Sequence, residues 1–357
     1  MRAVVVSAHG EPPQVLLVPR VACPPHGVVV RVEATGVCRS DWHAWQGHDP
    51  DVTLPYVPGH ELAGTVVEAG PEVRDWTAGD VVTVPFVCAC GTCDACVAGD
   101  QQVCERQTQP GFTHDGSFAQ YVALDHADVN LVRLPHGLSP VTAAALGCRF
   151  ATAYRAVTVH GRVGPGQWVA VHGCGGVGLS AIMVAVAAGA RVVAVDVSPA
   201  ARDAALALGA EAAIDPGLLP DAAVGSEALP DADAVAQAVH AVTGGGAHVS
   251  LDALGTPHTA AASVLSLRRR GRHVQVGLLL DGPTPLPMGR VVAWELELVG
   301  SHGMAAHEYA AMLARVVAGE LDLDRLVGEV IDLDGVPAAL AAMSGPPTSS
   351  GMTVVVL

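Results

Sequence analysis

Residues 169–178, Val169-Ala170-Val171-His172-Gly173-Cys174-Gly175-Gly176-Val177-Gly178, decide how the second half of this chain folds. An apolar strand pattern runs into G-x-G-x-x-G, and an apolar stretch of helical length, Leu179 to Ala188, follows it. Gly173, Gly175 and Gly178 allow a tight turn, close backbone approach to a pyrophosphate, and close packing of helix on strand. The helix N-terminus, with Gly176 and Val177, then faces the phosphates. The next strand, Arg191 to Val195, delivers an acid at Asp196, 20 residues past Gly176. A carboxylate there accepts both ribose hydroxyls and repels a 2′-phosphate, so NAD is expected rather than NADP. A plain turn with a helix-capping Asp would leave that spacing unexplained.

Outward from this turn the alternation of strands and helices continues. A helix at Ala201–Leu208 is stopped by Gly209, and another from about Ala234 ends at Gly244-Gly245-Gly246. Strands are expected at Trp168–Val171, His248–Leu251, Arg272–Val276 and Leu296–Gly300. This pattern implies a doubly wound parallel sheet with helices on both faces. The Pro- and acid-rich stretch Asp215–Asp233 reads as a surface excursion, and Arg268-Arg269-Arg270-Gly271-Arg272 as a solvated helix end before a strand. Upstream, as far as Cys148, short β-rich runs broken by Pro and Gly (Arg2–Val6, Gly27–Glu33, Leu62–Glu68, Asp80–Pro85, Phe118–Ala123) read as a twisted, largely antiparallel body with long loops. A helix near Glu308–Ala318 and a strand Thr353–Leu357 close the chain.

A length of 357 residues suits about two domains, and an apolar half of the composition suits an ordinary α/β core. The net charge of −16 disfavours nucleic acid or an anionic membrane as partner. No apolar run is long enough to span a bilayer, and Met1-Arg2-Ala3 leads straight into a strand pattern without a signal-like segment. A cytoplasmic protein is expected, in which cysteines stay reduced.

That expectation bears on Cys90, Cys93, Cys96 and Cys104, in CGTCDACVAGDQQVC. Three thiols at i, i+3 steps and a fourth eight residues on can wrap one ion tetrahedrally and leave no position open, which suits a structural Zn²⁺ better than disulfides. A second set lies upstream, in Gly36-Val37-Cys38-Arg39-Ser40-Asp41-Trp42-His43 and Gly59-His60-Glu61, with Cys148 available just before the nucleotide-binding half. Cys38, His60 and Cys148 are soft or borderline donors. Three protein ligands leave a fourth position for water or an alcohol oxygen, the arrangement of a catalytic zinc. Cys23, Cys88 and Cys174 read as small buried hydrophobes.

Over nearly its whole length the chain resembles a zinc-dependent alcohol dehydrogenase of the medium-chain dehydrogenase/reductase family. GVCRSDWH, PGHELAG, the four-cysteine lobe, LGCRFATAY, the glycine turn and Asp196 occur in that family's order. The resemblance implies an α/β protein with a GroES-like β-rich catalytic domain (1–149 and 301–357, the zinc lobe at about 88–105) and a Rossmann NAD-binding domain (150–300), with the active site in the cleft between them. It implies two zincs per chain, the catalytic one on Cys38, His60 and Cys148. Asp41 would orient His60 from behind, and Glu61 would lie behind the metal and approach it transiently. Ser40 would take the alcohol's proton and pass it through a ribose hydroxyl to His43. Read alone, Ser40 is as well explained as a cap and His43 as a loop histidine. Arg39 matches a pyrophosphate contact. Trp45 and Phe86 match the substrate pocket, although either is also plausible as core.

The implied reaction is reversible oxidation of primary or secondary alcohols, aromatic or bulky apolar ones included, by hydride transfer to NAD from an alcohol held at the zinc. Other readings are a reductase of C=N or C=C bonds, a polyol or thiol-adduct dehydrogenase, and a non-catalytic zinc-binding interaction module. Two positions depart from the family pattern. Ala201, with Arg202 beside it, replaces a basic residue after the ribose-binding acid, and Met352 stands where many members carry Arg against the pyrophosphate. Weaker cofactor binding, or compensation by Arg39 or Arg202, is expected. The short link from Cys104 to Gly116-Ser117-Phe118 resembles tetrameric members, so a homotetramer is expected, with a dimer as the other option.

Overall fold

A computed structural model describes residues 1–219, 232–280, 282–345 and 350–357. The chain divides into two units. One comprises Met1–Ala151, a segment beginning at Gly303, and Met352–Leu357; the other contains Thr152–His302.

The second unit is built on a six-stranded sheet whose pairings are all parallel. Its order is Ala212–Ile214, Arg191–Val195, Trp168–His172, Ala247–Asp252, Leu267–Gln275, Glu297–Gly300. Numbered along the chain this is 3-2-1-4-5-6, and the direction of winding reverses beside Trp168–His172. Ligands of such sheets bind beyond the strand ends at that reversal. Every residue of Trp168–His172 is buried, as expected for a central strand covered on both faces. The helix Gly176–Ala187 after it is apolar nearly all round and buries Gly178 through Ala185. Its one buried hydroxyl, Ser180, donates to the Gly176 carbonyl at 2.6 Å.

The basic run departs from the reading as a helix end. The preceding helix stops at Leu265, and Arg268, Arg269 and Arg270 lie inside the strand Leu267–Gln275. All four of the run's arginines find partners on neighbouring elements: Arg272 pairs with Glu297, Arg270 with Glu295, Arg269 stacks on Trp294, and Arg268 meets His248 at 2.8 Å. Arg268, Arg269 and Arg270 stay exposed while Arg272 is buried and paired, so a charged run can serve as strand. Residues 220–231 of the acidic excursion lie outside the described residues.

The first unit is a mixed sheet organised around Val28–Val37. This strand pairs antiparallel with Glu61–Ala69, Tyr121–Leu124 and Met352–Val356. Val81–Thr83 and Val132–Arg133 extend one side, and Val327–Asp332, which sequence patterning did not suggest, joins Met352–Val356 in parallel. A hairpin of Arg2–Val5 and Gln14–Leu17 forms a separate ladder, tied to the body by backbone bonds from Val4 to the Phe118 carbonyl and from Gln120 to the Arg2 carbonyl. One core packs Ala3, Val4, Trp45, Tyr56, Phe118 and Leu340; a second packs Val30, Val32, Leu62, Val66, Val82 and Val122. The register Gly36↔Glu61 matters most, because it brings the chain on either side of that pair, Cys38 and His60, to one end of the sheet. Among the described residues no helix is long and apolar enough to cross a membrane.

Candidate metal centre and nucleotide turn

After Val37 the chain leaves the sheet and starts the helix Arg39–Trp45, with Cys38 as its N-cap. Asp41 ties this corner together. Its Oδ2 accepts the Cys38 amide at 2.8 Å, and its Oδ1 accepts the Gly59 amide at 3.1 Å and His60 Nδ1 at 2.9 Å. Because Nδ1 is engaged by a buried carboxylate, Nε2 is the ring nitrogen left to face a metal. That Nε2 is fully buried and has no hydrogen-bond partner. A buried polar atom without a partner costs roughly 1–3 kcal/mol, which a metal bond would offset.

Cys148 arrives on a π-turn, Leu146–Phe150, held by Tyr309 Oη donating to the Gly147 carbonyl at 3.0 Å. The ligand atoms of Cys38, His60, Glu61 and Cys148 all lie within 4.8 Å of one another. The Cys148 thiol donates to Cys38, which holds Cys38 well below the usual thiol range and Cys148 well above it. Two sulfurs and an imidazole with a free Nε2 fit a zinc ion with one position open. Phe86 and Phe112 stand edge-on to the His60 ring, at 6.3 and 5.3 Å between centroids.

Glu61 is within reach of this set but is held by Arg149, a residue the sequence reading passed over. Oε1 accepts the Arg149 amide at 2.9 Å and Nε at 3.1 Å, while Oε2 accepts Nε at 3.0 Å and also Nη2. Burial opposes charge on both side chains: it pushes the Glu61 carboxyl up against the pull of Arg149, while for Arg149 the Glu61 carboxylate outweighs it and keeps the guanidinium above its ordinary value. The pair needs Gly36, since a Cβ there would sit 2.3 Å from Glu61 Oε2. One signal was available: an Arg beside a metal-binding Cys in a buried segment requires an acid partner.

The structure places the remaining candidates as follows. Ser40 Oγ lies 3.8 Å from Cys38 Sγ. His43, half-buried, faces His48. Arg39 stacks on Trp42 with 4.3 Å to the ring centroid and donates to the Met343 carbonyl. Trp45 belongs to the apolar core, with Nε1 donating to the Glu11 carbonyl at 2.6 Å. Met352 is fully buried in its strand.

In the lobe, Cys90, Cys93, Cys96 and Cys104 gather within 4.8 Å, and all nine cysteines of the chain are free of disulfides. Cys93 Sγ is 3.4 Å from Cys96 and 3.7 Å from Cys104. A tetrahedron with zinc–sulfur bonds of about 2.3 Å has sulfur edges of about 3.8 Å, so the set fits zinc. Donors already point at the sulfurs. The Thr92 amide, with the Thr92 hydroxyl, lowers Cys90 to about 5, and Arg106 donates to it at 3.3 Å. Asn130 anchors the lobe by accepting from the Ala89 amide and donating to its carbonyl.

In the second unit the turn Gly173-Cys174-Gly175 has Gly173 at φ +87°, and Gly178 packs so tightly that a Cβ would lie 1.8 Å from the Gly173 carbonyl oxygen. Asp196 accepts the Cys174 amide at 2.7 Å and the Ser198 amide at 2.8 Å, which aims its carboxylate at the turn. Arg202 is committed to the Asp196 carbonyl and to Asp215, at 2.8 and 2.7 Å.

Residues 24–136 match the family described as alcohol dehydrogenase GroES-like domain, and residues 176–318 match the zinc-binding dehydrogenase family. An alcohol dehydrogenase of Geobacillus stearothermophilus is 35% identical over 305 residues, covering 84% of either chain. Among solved structures, an NAD-dependent alcohol dehydrogenase superposes with TM-score 0.85 at 29% identity, over 100% of both chains. The alcohol dehydrogenase of the archaeon Aeropyrum pernix does so with TM-score 0.87 at 29% identity, again over 100% of both.

Proposed function

The chain belongs to the zinc-dependent alcohol dehydrogenases of the medium-chain dehydrogenase/reductase family, and from that premise we propose that it interconverts primary or secondary alcohols with aldehydes or ketones, using NAD⁺/NADH. The observation that carries the reading is the buried, partnerless His60 Nε2 between two thiols, with Nδ1 fixed by Asp41. Cys38, His60 and Cys148 would hold a catalytic zinc, and the four lobe cysteines a structural one. When bound, the catalytic zinc supplies a Lewis acid that makes the alcohol more acidic, and NAD⁺ supplies the hydride acceptor.

The protein's own groups do the rest. Asp41 engages Nδ1 and leaves His60 Nε2 to face the metal. Arg149 saturates both oxygens of Glu61, so that carboxylate stays a neutralised neighbour and the fourth position stays open to substrate. Ser40 takes the alcohol's proton and His43 moves it outward. Phe86 and Phe112 give an apolar, water-poor wall, which favours bulky or aromatic alcohols. Gly173, Gly175, Gly176, Val177 and Gly178 offer amides and close approach to a pyrophosphate, and Asp196 accepts ribose hydroxyls. The acid supports NAD over NADP, because Arg202 is already paired and unavailable to a 2′-phosphate. A cytoplasmic homotetramer is the assembly we propose.

The test is NADH formation from NAD⁺ and benzyl alcohol by protein whose zinc has been counted. About two zincs per chain, turnover with NAD⁺ above that with NADP⁺, and loss of turnover with one zinc in Cys38→Ala support the reading. Full zinc without turnover on a panel of alcohols moves it to the C=N or C=C reductases. One zinc or fewer removes the ligand set.

A further inference from the structure

His43 Nδ1 lies 3.0 Å from His48 Nδ1, with the ring centroids 5.3 Å apart. A hydrogen bond between two Nδ1 atoms needs a proton on one and a lone pair on the other, so each neutral ring keeps its Nε2 for a different partner. The contact is built into the fold. The His48 amide donates to the His43 carbonyl at 3.0 Å, and Gly47 at φ +79° turns the chain back over the helix end. Trp42 meets both rings edge-on, at 4.9 and 5.6 Å, and is itself fixed by Nε1 donating to Ser344 Oγ at 2.9 Å. His43 is half-buried and His48 exposed, so the pair leads from the interior to water.

We propose that His48 is the outer member of a two-histidine proton path, taking the proton that His43 releases and handing it to solvent. This rests on the relay role given to His43 above. In alcohol oxidation, a proton arriving at His43 Nε2 is matched by departure of the Nδ1 proton to His48 Nδ1, and the His48 Nε2 proton leaves to water or a buffer base. One proton enters, one leaves, neither ring keeps a charge, and both rings end in the other tautomer, which proton exchange with water resets before the next turnover. Carbonyl reduction runs the same exchange backwards. The charged and titratable groups around the pair are Arg39 on the same helix, Cys38 at its start, His9 packed against Gly47, and Asp49 next along the chain. Burial, with Arg39 and His48 adding and Cys38 opposing, lowers His43 below the ordinary histidine value, so it is neutral and able to accept at pH 7.

The experiment compares wild type, His48→Gln and His43→Gln in zinc-loaded protein, following NADH formation and, with an indicator dye, proton release to solvent. In dilute, poorly accepting buffer His48→Gln should slow proton release and turnover roughly tenfold, less than the roughly 10²-fold of a base in contact with the reacting proton. KM should be unchanged, and added imidazole should restore the rate. Without substrate, the His43 ring should titrate at higher pH in His48→Gln by NMR, because a repelling neighbour is gone. A His48→Gln enzyme as fast as wild type in dilute buffer, or a slow one that imidazole does not restore, overturns the proposal. If His43→Gln is slow while His48→Gln is not, only this path fails; if His43→Gln is as fast as wild type, the relay itself fails with it.

Discussion

The lobe Cys90–Cys104 and the set Cys38, His60, Cys148 differ in how far the chain travels to build them. The lobe is one short loop: four thiols, backbone amides from Cys90, Thr92 and Arg106 aimed at sulfur, and an Arg106 guanidinium against the cluster. Every donor comes from within the loop or from Arg106 just past it, and Asn130, Val129 and His307 meet it from outside. The other set takes one ligand from a strand end, one from the start of a neighbouring strand and one from a π-turn far along the chain. Asp41, Arg149 and Tyr309 brace it from outside. A locally encoded set can be closed and inert. A set gathered from several elements can leave one position free, and its open position then depends on residues that touch no metal.

Breaking either set should give different losses. Cys38→Ala and Cys96→Ser should each remove about one of two zincs by elemental analysis. Cys38→Ala should also lower kcat/KM by roughly 10³-fold or more, the loss of several kcal/mol of Lewis-acid help. Cys96→Ser should keep most turnover per folded molecule and lose its effect in the thermal midpoint. If Cys96→Ser is the catalytically dead one, the division of labour is reversed.

Removing a brace is the next largest effect. Arg149→Met leaves Glu61 buried and unpaired, and urea denaturation should show about 3–5 kcal/mol of lost stability. With the double variant Glu61→Gln/Arg149→Met much of that loss should return. A spectroscopic change in cobalt-substituted Arg149→Met would show Glu61 moving onto the metal once its partner is gone. Equal losses in the single and double variants would mean that Arg149 matters through packing alone. Asp41→Ala should weaken zinc at the open site by roughly 10–100-fold while leaving the lobe's zinc in place under the same chelator competition.

The smallest effect contrasts both metal sets with a buried polar group that has no metal to meet. His172, at the end of the central strand, is pushed down to about 3 by burial, with His273 and His258 adding to the shift. Unfolded, it titrates near 6.5. Between those values the unfolded chain binds a proton that the folded one does not, so stability is full above about pH 6.5 and falls as pH drops, by about 2 kcal/mol at pH 5. His172→Gln should flatten that part of the acid dependence; an unchanged slope would place the acid sensitivity elsewhere.

Much of this was legible in the residues. The glycine turn and Asp196 gave the parallel sheet, since each glycine answers a specific steric demand, and the lobe's cysteine spacing pointed to its own geometry. Less legible was whatever depends on pairing over distance. Val327–Asp332 is largely exposed, Val330 included, and reads as loop until Met352–Val356 lies beside it. The arginines of Leu267–Gln275 look solvated until Glu295, Glu297 and Trp294 come up against them. Arg149 looked like an incidental neighbour of Cys148, and its role appears only when Gly36↔Glu61 pairing puts an acid within reach. Trp45 carries the same lesson in reverse, because a ring that matched a pocket position is spent on the core.

The strand Met352–Val356 sets a timetable for synthesis. It is the neighbour of Ala34–Val37, the stretch that ends in Cys38, yet the ribosome makes it after the whole nucleotide-binding unit. At typical elongation rates the first unit waits on the order of ten seconds or more with that edge unpaired. Its lobe can take up metal as soon as Cys104 emerges, whereas the sheet beside the open site is complete only when the last strand arrives. Most of the second unit, Thr152–His302, is made in that interval, so the four thiols of the lobe are in place well before the strand that flanks the open site.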